Sequence, residues 1–308
     1  MAEHWSIDGP KVVEVGGPDE PPRELVVRTL AGRVDVVAHD DLDSITVEVS
    51  SVRGRPIDVD WDGATLRVEH PKMQWESWLD GLFSGGLKGL KDLGRSMDAV
   101  EISIAVPRSV TVTLGTVSAD GLVSGTHAPA RVKTVSGTVV VDGVTGHLAA
   151  RTVSGEIDVR NQRGPLTGQS VSGSLTVHAA ELGDLRATSV SGSLSVDLEQ
   201  APATLFAKSV SGDVVVRIPH GSGYELSAKS VSGRVTAGHE EVARRPGKVE
   251  GVLRGTGEGR VEITATTVSG DVTVLHAHPA SPRDEATQPV PSTDSTQPLA
   301  GPDLGKHL

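Results

Sequence analysis

Thr152-Val153-Ser154-Gly155-Glu156-Ile157-Asp158-Val159 is the stretch whose reading decides the fold of this chain. The same phrase, Thr or Ser followed by Val-Ser-Gly, a variable residue and a branched apolar residue, also begins at Thr134, Ser170, Ser189, Ser209, Ser230 and Thr267. A weaker copy, Thr116-Val117-Ser118-Ala119, precedes them. Further upstream, Thr29-Leu30-Ala31-Gly32-Arg33-Val34-Asp35-Val36 repeats the phrase with Leu for Val and Ala for Ser. From Val117 onward the Val-to-Val intervals are 18, 18, 18, 19, 20, 21 and 37 residues. The last is about two periods, so one unit between Gly233 and Val268 is expected to have lost the phrase.

If each phrase is one strand, its side chains alternate between two faces. Val135, Gly137, Val139 and Val141 then point inward, and Thr134, Ser136, Thr138 and Val140 outward. Each period also holds a turn and a second apolar stretch, such as Asp142-Gly143 followed by Val144 to Ala149. A half-buried strand returning every 18 to 21 residues predicts an all-β chain, a β-solenoid of stacked rungs. The handedness preference of parallel crossovers points to a right-handed parallel β-helix; an antiparallel array of hairpins has the same period. The glycine column marks where the backbone bends or rungs approach closely.

The chain has 308 residues, 2% aromatics, no cysteine and a net charge of -11. A core of layered Val, Leu and Ala needs few aromatics. The acidic balance argues against a nucleic-acid backbone or an anionic membrane as the main partner. Without cysteine there is neither a disulfide framework nor a thiolate metal site. Met1-Ala2-Glu3-His4-Trp5 does not read as a signal peptide, and no run of 18 apolar residues occurs. Together these predict a cytoplasmic protein, with peripheral envelope association as the other expectation.

The expected organisation is an N-terminal segment over 1–23, the β-strand repeat domain over 24–275, and a Pro/Ser/Thr-rich disordered tail over 276–308. Residues 72–98 break the strand pattern. Trp75, Trp78, Leu79, Leu82, Phe83, Leu87, Leu90, Leu93 and Met97 recur at spacings of three and four, which predicts one amphipathic helical insertion. Its roles would be a cap on the array, a docking or oligomerising helix using Trp75, Trp78, Leu82 and Phe83, or a membrane-surface helix. The run from Gly238 to Gly259 reads as a long turn or hairpin at the far end of the stack.

β-helices host polysaccharide-cleaving enzymes, which work through paired carboxylates. Glu156 and Asp158 lie two apart on one strand, about 7 Å between alpha carbons. Their expected stacked neighbours are Ser, Thr and Val, not acids, and no aromatic platform accompanies them. A solvated strand face is the better reading, and the sequence carries no metal-ligand spacing, cofactor motif or nucleophile signature. The regular feature is hydroxyl. Thr134, Thr152, Ser170, Ser189 and Ser209 form one predicted outward column, and Ser136, Ser154, Ser172, Ser191 and Ser211 a second. Ladders of this kind resemble the flat faces of ice-binding solenoids, but the second column is all Ser rather than Thr, and cross-strand hydroxyl pairing is the better reading.

The serial phrases, best at Thr152 to Val159, Ser209 to Val216 and Thr267 to Val274, together with the run Val100 to Ser109, resemble a bacterial family of β-strand repeat proteins. This is the putative-adhesin family, a domain of unknown function common in actinobacteria. The resemblance covers about residues 24 to 275. It implies a β-solenoid with a scaffolding, adhesive or envelope-associated role and no catalytic residue. The function expected is therefore a non-enzymatic binding or scaffold module. Its surface would be the hydroxyl columns with Glu156, Asp158 and Asp213, offered to a protein or polymer partner or to a second copy. The alternatives are a carbohydrate-active enzyme centred on Glu156 and Asp158, and membrane attachment through residues 72–98.

Overall fold

In the computed structural model the structure describes residues 2–70, 98–242, 244–245 and 248–277. They contain strands and no helix, in two sheets of 14 and 13 strands. The helix expected over 72–98 and the tail expected from 276 fall, apart from Asp98, His276 and Ala277, outside the described residues.

Each period contributes one strand to each sheet. Ala130–Thr134 lies in the first sheet, Val135-Ser136-Gly137 makes a corner, and Thr138–Asp142 runs in the second. Gly143, at a φ of 65° that only glycine adopts easily, then turns the chain back toward Leu148–Thr152. Successive periods stack parallel and in register, Thr134 with Thr152 and Val139 with Ile157, apart from one shift between Val177 and Ala180 where Leu175–Ala180 meets Leu194–Leu198. The periodicity thus produces a β-solenoid of parallel rungs. The sheets close on one core in which Val132, Val139, Val141, Leu148, Ala150 and Ile157 are fully buried. Each buried Val or Leu contributes roughly 1.5 to 3 kcal/mol relative to exposure.

The expected sidedness of the phrase is wrong at its first two residues. Thr134, Thr152, Ser170, Ser189 and Ser209 are buried, none more than 7% exposed. The Val that follows is the outward residue, with Val190, Val210, Val231 and Val268 about half exposed, 47 to 52%. The phrase is not one strand but the end of one, a corner and the start of the next. A three-residue corner resets the alternation, so parity carried across it from Val139 assigns the wrong face. The second serine and the positions from Gly onward keep the predicted sides.

The 37-residue interval has a different origin from a lost copy. After Gly223–Ser230 and Val235–Ala237 the chain folds back as Lys248–Gly255, antiparallel to Gly223–Ser230. It then inserts Arg260–Thr266 between Ala203–Ser209 and Gly223–Ser230, and Val272–His276 between Val214–Ile218 and Val235–Ala237. The last phrase in sequence is the penultimate one in space. Gly257 permits the crossing, because a Cβ there would run into the backbone of Gly221 to Gly223.

Among the described residues the parallel stack has ten rungs. The copy at Thr29 is Glu24–Thr29 followed by Gly32–His39, and the rung outside it is Thr65–Glu69 followed by Ala99–Pro107. Residues 71–97 thus occupy, in sequence, the place that Val-Ser-Gly takes elsewhere. Ile57–Trp61 and Glu3–Ile7 extend the first sheet antiparallel, and Ser44–Arg53 and Lys11–Gly16 extend the second.

Candidate functional site

The corner is the element that the sequence repeats most strictly, and it is built from three interlocking roles. The buried hydroxyl closes the turn. Thr134 Oγ1 accepts from the Gly137 N–H at 3.2 Å, and the hydroxyls of Ser209, Ser230 and Thr267 accept from Gly212, Gly233 and Gly270 at 2.8 to 2.9 Å. In the intervening rungs the hydroxyl instead donates to the glycine carbonyl, from Thr152 to Gly155 at 2.9 Å, from Ser189 to Gly192 at 2.6 Å, and from Ser170 to Gly173. Side-chain-to-backbone closure of this kind satisfies groups that the ladder leaves unpaired at the bend.

The second serine ties rungs together. Ser136, Ser154, Ser191 and Ser211 donate to the carbonyls of Val117, Val135, Val171 and Val190 in the preceding rung at 3.1 to 3.3 Å, and Ser172 to Val153 at 3.4 Å. These hydroxyls lie at the surface yet are engaged with backbone. The flat two-file hydroxyl lattice is therefore absent: one file is inside, and the other is bonded to its neighbour.

The glycine permits contact. A Cβ at Gly137, Gly155, Gly173, Gly192, Gly212, Gly233 or Gly270 would stand less than 3.0 Å from a carbonyl oxygen of the adjacent rung. The residue between the two serines is left to face outward, and it makes a ladder of valines along one edge. The ladder is covered at Leu30 and Val135, each 5% exposed, and open from Val190 through Val210 and Val268 to Val231. Alternation reasoning missed this stripe, although the strict Val of every phrase was its signal.

The carboxylates named from the sequence sit on the outer face of the second sheet. Glu156 is exposed and registers with Thr138; Asp158 registers with Val140 and Thr176 and is held by Arg160 Nε at 3.0 Å. Asp213 Oδ1 accepts the Asp271 N–H at 2.8 Å, as Asp271 Oδ1 accepts from Arg234 at 2.7 Å and Asp120 Oδ1 from Thr138 at 3.0 Å. Several of these acids therefore cap the amide that opens the next rung. The structure does not bring Glu156 and Asp158 face to face across a cleft. Among the described residues no group of three or more His, Asp or Glu could hold a metal ion, and no helix is long and apolar enough to cross a membrane.

Where the insertion leaves and rejoins the rungs, His70 and Asp98 are both buried. Asp98 binds the Arg55 guanidinium at 2.6 Å and its backbone N–H at 2.9 Å. Burial pushes the His70 imidazole below the usual histidine range; Asp98 opposes the shift and Arg55 adds to it.

No curated protein matches the chain. Several solved structures are similar to it, among them the following three. "Putative lipid binding protein" from Parabacteroides distasonis is 13% identical with a TM-score of 0.49, covering 87% of this chain and 97% of that one. A "putative adhesin" from Bacteroides fragilis is 11% identical with a TM-score of 0.43, covering 86% and 97%. A "putative cell adhesion protein" from Clostridium sporogenes is 12% identical with a TM-score of 0.30, covering 87% and 100%. None reaches a TM-score of 0.5, so none bears on function. The rungs over residues 169–275, which carry the open part of the valine ladder, match the family model described as Toastrack DUF4097, a domain of unknown function.

Proposed function

We propose that this protein is a non-enzymatic, adhesin-like binding module whose rigid rungs present a valine edge to a protein partner. The observation that carries this reading is the open ladder of Val190, Val210, Val268 and Val231, each about half exposed at a position where the fold needs no apolar group. Four valines in successive rungs span about 14 Å, at about 4.8 Å per rung. They form a narrow apolar stripe bordered by serines whose hydroxyls are already bonded, and apolar stripes with polar rims are the usual anchors of protein contacts. Residues 71–97, with Trp75, Trp78, Leu82 and Phe83, begin and end at His70 and Asp98, which flank the corner position of their own rung. In this reading they form a second docking element.

The test is affinity capture from the source cells with three baits: the intact chain, a version lacking 72–98, and a Val190→Ser/Val210→Ser/Val268→Ser/Val231→Ser variant. A stoichiometric partner lost only with the valine variant, at unchanged melting temperature, supports the edge. A partner lost only with the deletion moves recognition to Trp75, Trp78, Leu82 and Phe83. A partner held equally by all three refutes both.

A further inference from the structure

The two outer faces differ in charge, and this follows from register rather than from composition. On the first sheet, two columns run outward through the eight rungs from Thr111–Thr116 to Gly223–Ser230. One passes through Arg131, Arg186 and Phe206, the other through Lys133, Arg151, Lys208 and Lys229. These columns hold six cations and no carboxylate, in a chain whose net charge is -11. Arg131, Arg186 and Lys208 are exposed. Arg186 stacks over the Phe206 ring at 4.9 Å, and Lys229 shares its charge with Glu250 at 2.7 Å. Within the eight rungs acids appear at the margin, as Asp184 and Glu262, and as Glu225, which Arg254 and Arg260 neutralise; Glu250 registers with Lys229 on the strand beyond them. The opposite face of the same rungs carries Asp120, Asp142, Glu156, Asp158, Asp197, Asp213 and Asp271 against Arg160, Arg217 and Arg234.

We propose that the outer face of the first sheet is a binding site for a linear acidic polysaccharide lying along the stack. The cations stretch from the rung of Arg131 to that of Lys229, six steps or about 29 Å at about 4.8 Å each. Over the two columns together they sit at intervals of one or two rungs, about 5 to 10 Å, a spacing that uronate or similar charged sugar units can follow. Between them stand Thr167, Gln169, Thr188, Thr264 and Thr266, short donors and acceptors suited to sugar hydroxyls. Phe206 is the only aromatic in these columns. Single-stranded nucleic acid is held by series of stacking aromatics, and a bilayer surface by an apolar face as well as charge; this face supplies neither. The inference concerns a different surface and ligand from the valine edge, so each can fail without the other.

The test uses the full chain and polygalacturonate, with single-stranded DNA and vesicles containing anionic lipid as competitors. Polygalacturonate is expected to bind, and its affinity to fall at least about tenfold between about 20 and about 150 mM salt, as ion release from several contacts requires. Arg131→Gln/Arg186→Gln/Lys208→Gln should weaken binding at least about tenfold at unchanged melting temperature, whereas Asp142→Asn/Glu156→Gln on the other face should leave it within about threefold. No binding at low salt, equal binding by the triple variant, or tighter binding of DNA or vesicles than of the polysaccharide would overturn the proposal. Should the triple variant not fold, the salt dependence and the competition by the intact chain still decide.

Discussion

Replacing Gly192 by Ala tests the corner as a mechanical element. An ideal Cβ at Gly192 meets the Gly173 carbonyl, and Ser170 Oγ at 2.9 Å. The carbonyl belongs to the neighbouring rung's backbone and cannot rotate away. Relief requires the two corners to separate, which strains the Val190 N–H to Ser170 carbonyl bond at 3.2 Å, the Ser191 N–H to Val171 carbonyl bond at 2.8 Å and the Ser191 hydroxyl bond to Val171 at 3.2 Å. At a net of about 0.5 to 1.5 kcal/mol each, loss of the three costs roughly 2 to 4 kcal/mol. The control is Gly183→Ala. A Cβ there meets nothing within 4 Å and the φ is not positive, so reduced unfolded-state entropy should leave that variant neutral or stabilised by up to about 1 kcal/mol. Urea unfolding measures both through the midpoint, with the slope reporting whether the array still unfolds as one unit. Equal midpoints for the two variants would show that the rungs yield freely at the corner, and the close-approach account would be refuted.

The two hydroxyl files should also separate by stability. Thr134→Val keeps the shape but withdraws the acceptor from the buried Gly137 N–H, a loss of about 1 to 3 kcal/mol, while Ser136→Ala at the surface should cost under about 1 kcal/mol; a reversed order in denaturant midpoints would restore the outward-hydroxyl reading. Leu185→Ala, at a fully buried position, should cost about 2 to 5 kcal/mol, whereas Val190→Ser on the edge should change stability by no more than about 0.5 kcal/mol. Stability should fall as the medium is acidified below about pH 6.5, because the unfolded chain protonates His70 more readily than the folded one does. That contribution is complete above the unfolded value and lost as the pH falls through the lower folded value. His4 is shifted the opposite way, raised by the exposed Asp60 at 2.6 Å. The His70 part is therefore read as the flattening of the acid limb in His70→Gln, and an unchanged limb would rule it out.

The spacing of Thr152-Val153-Ser154-Gly155 and its copies was enough to establish the rungs, the stacking of like on like, and the need for glycine at a close approach, because short identical units pack only in one register when their apolar residues must coincide. The carboxylates at Glu156, Asp158 and Asp213 were legible as surface for the same reason. What lay beyond the sequence was set by contacts between residues far apart along the chain. The bend at Val135-Ser136-Gly137 breaks the alternation on which sidedness is computed, so only the folded corner places Thr134 inside and the valines outside. The final rung enters one step early because Lys248–Gly255 folds back antiparallel on the far side of Gly223–Ser230. The cationic columns from Arg131 to Lys229 exist only after eight rungs are laid in register, since no local stretch of sequence brings those charges together. A repeat encodes its own nearest-neighbour packing. The faces and ends of the stack belong to the tertiary structure, because each sums residues that meet only once the whole array is built.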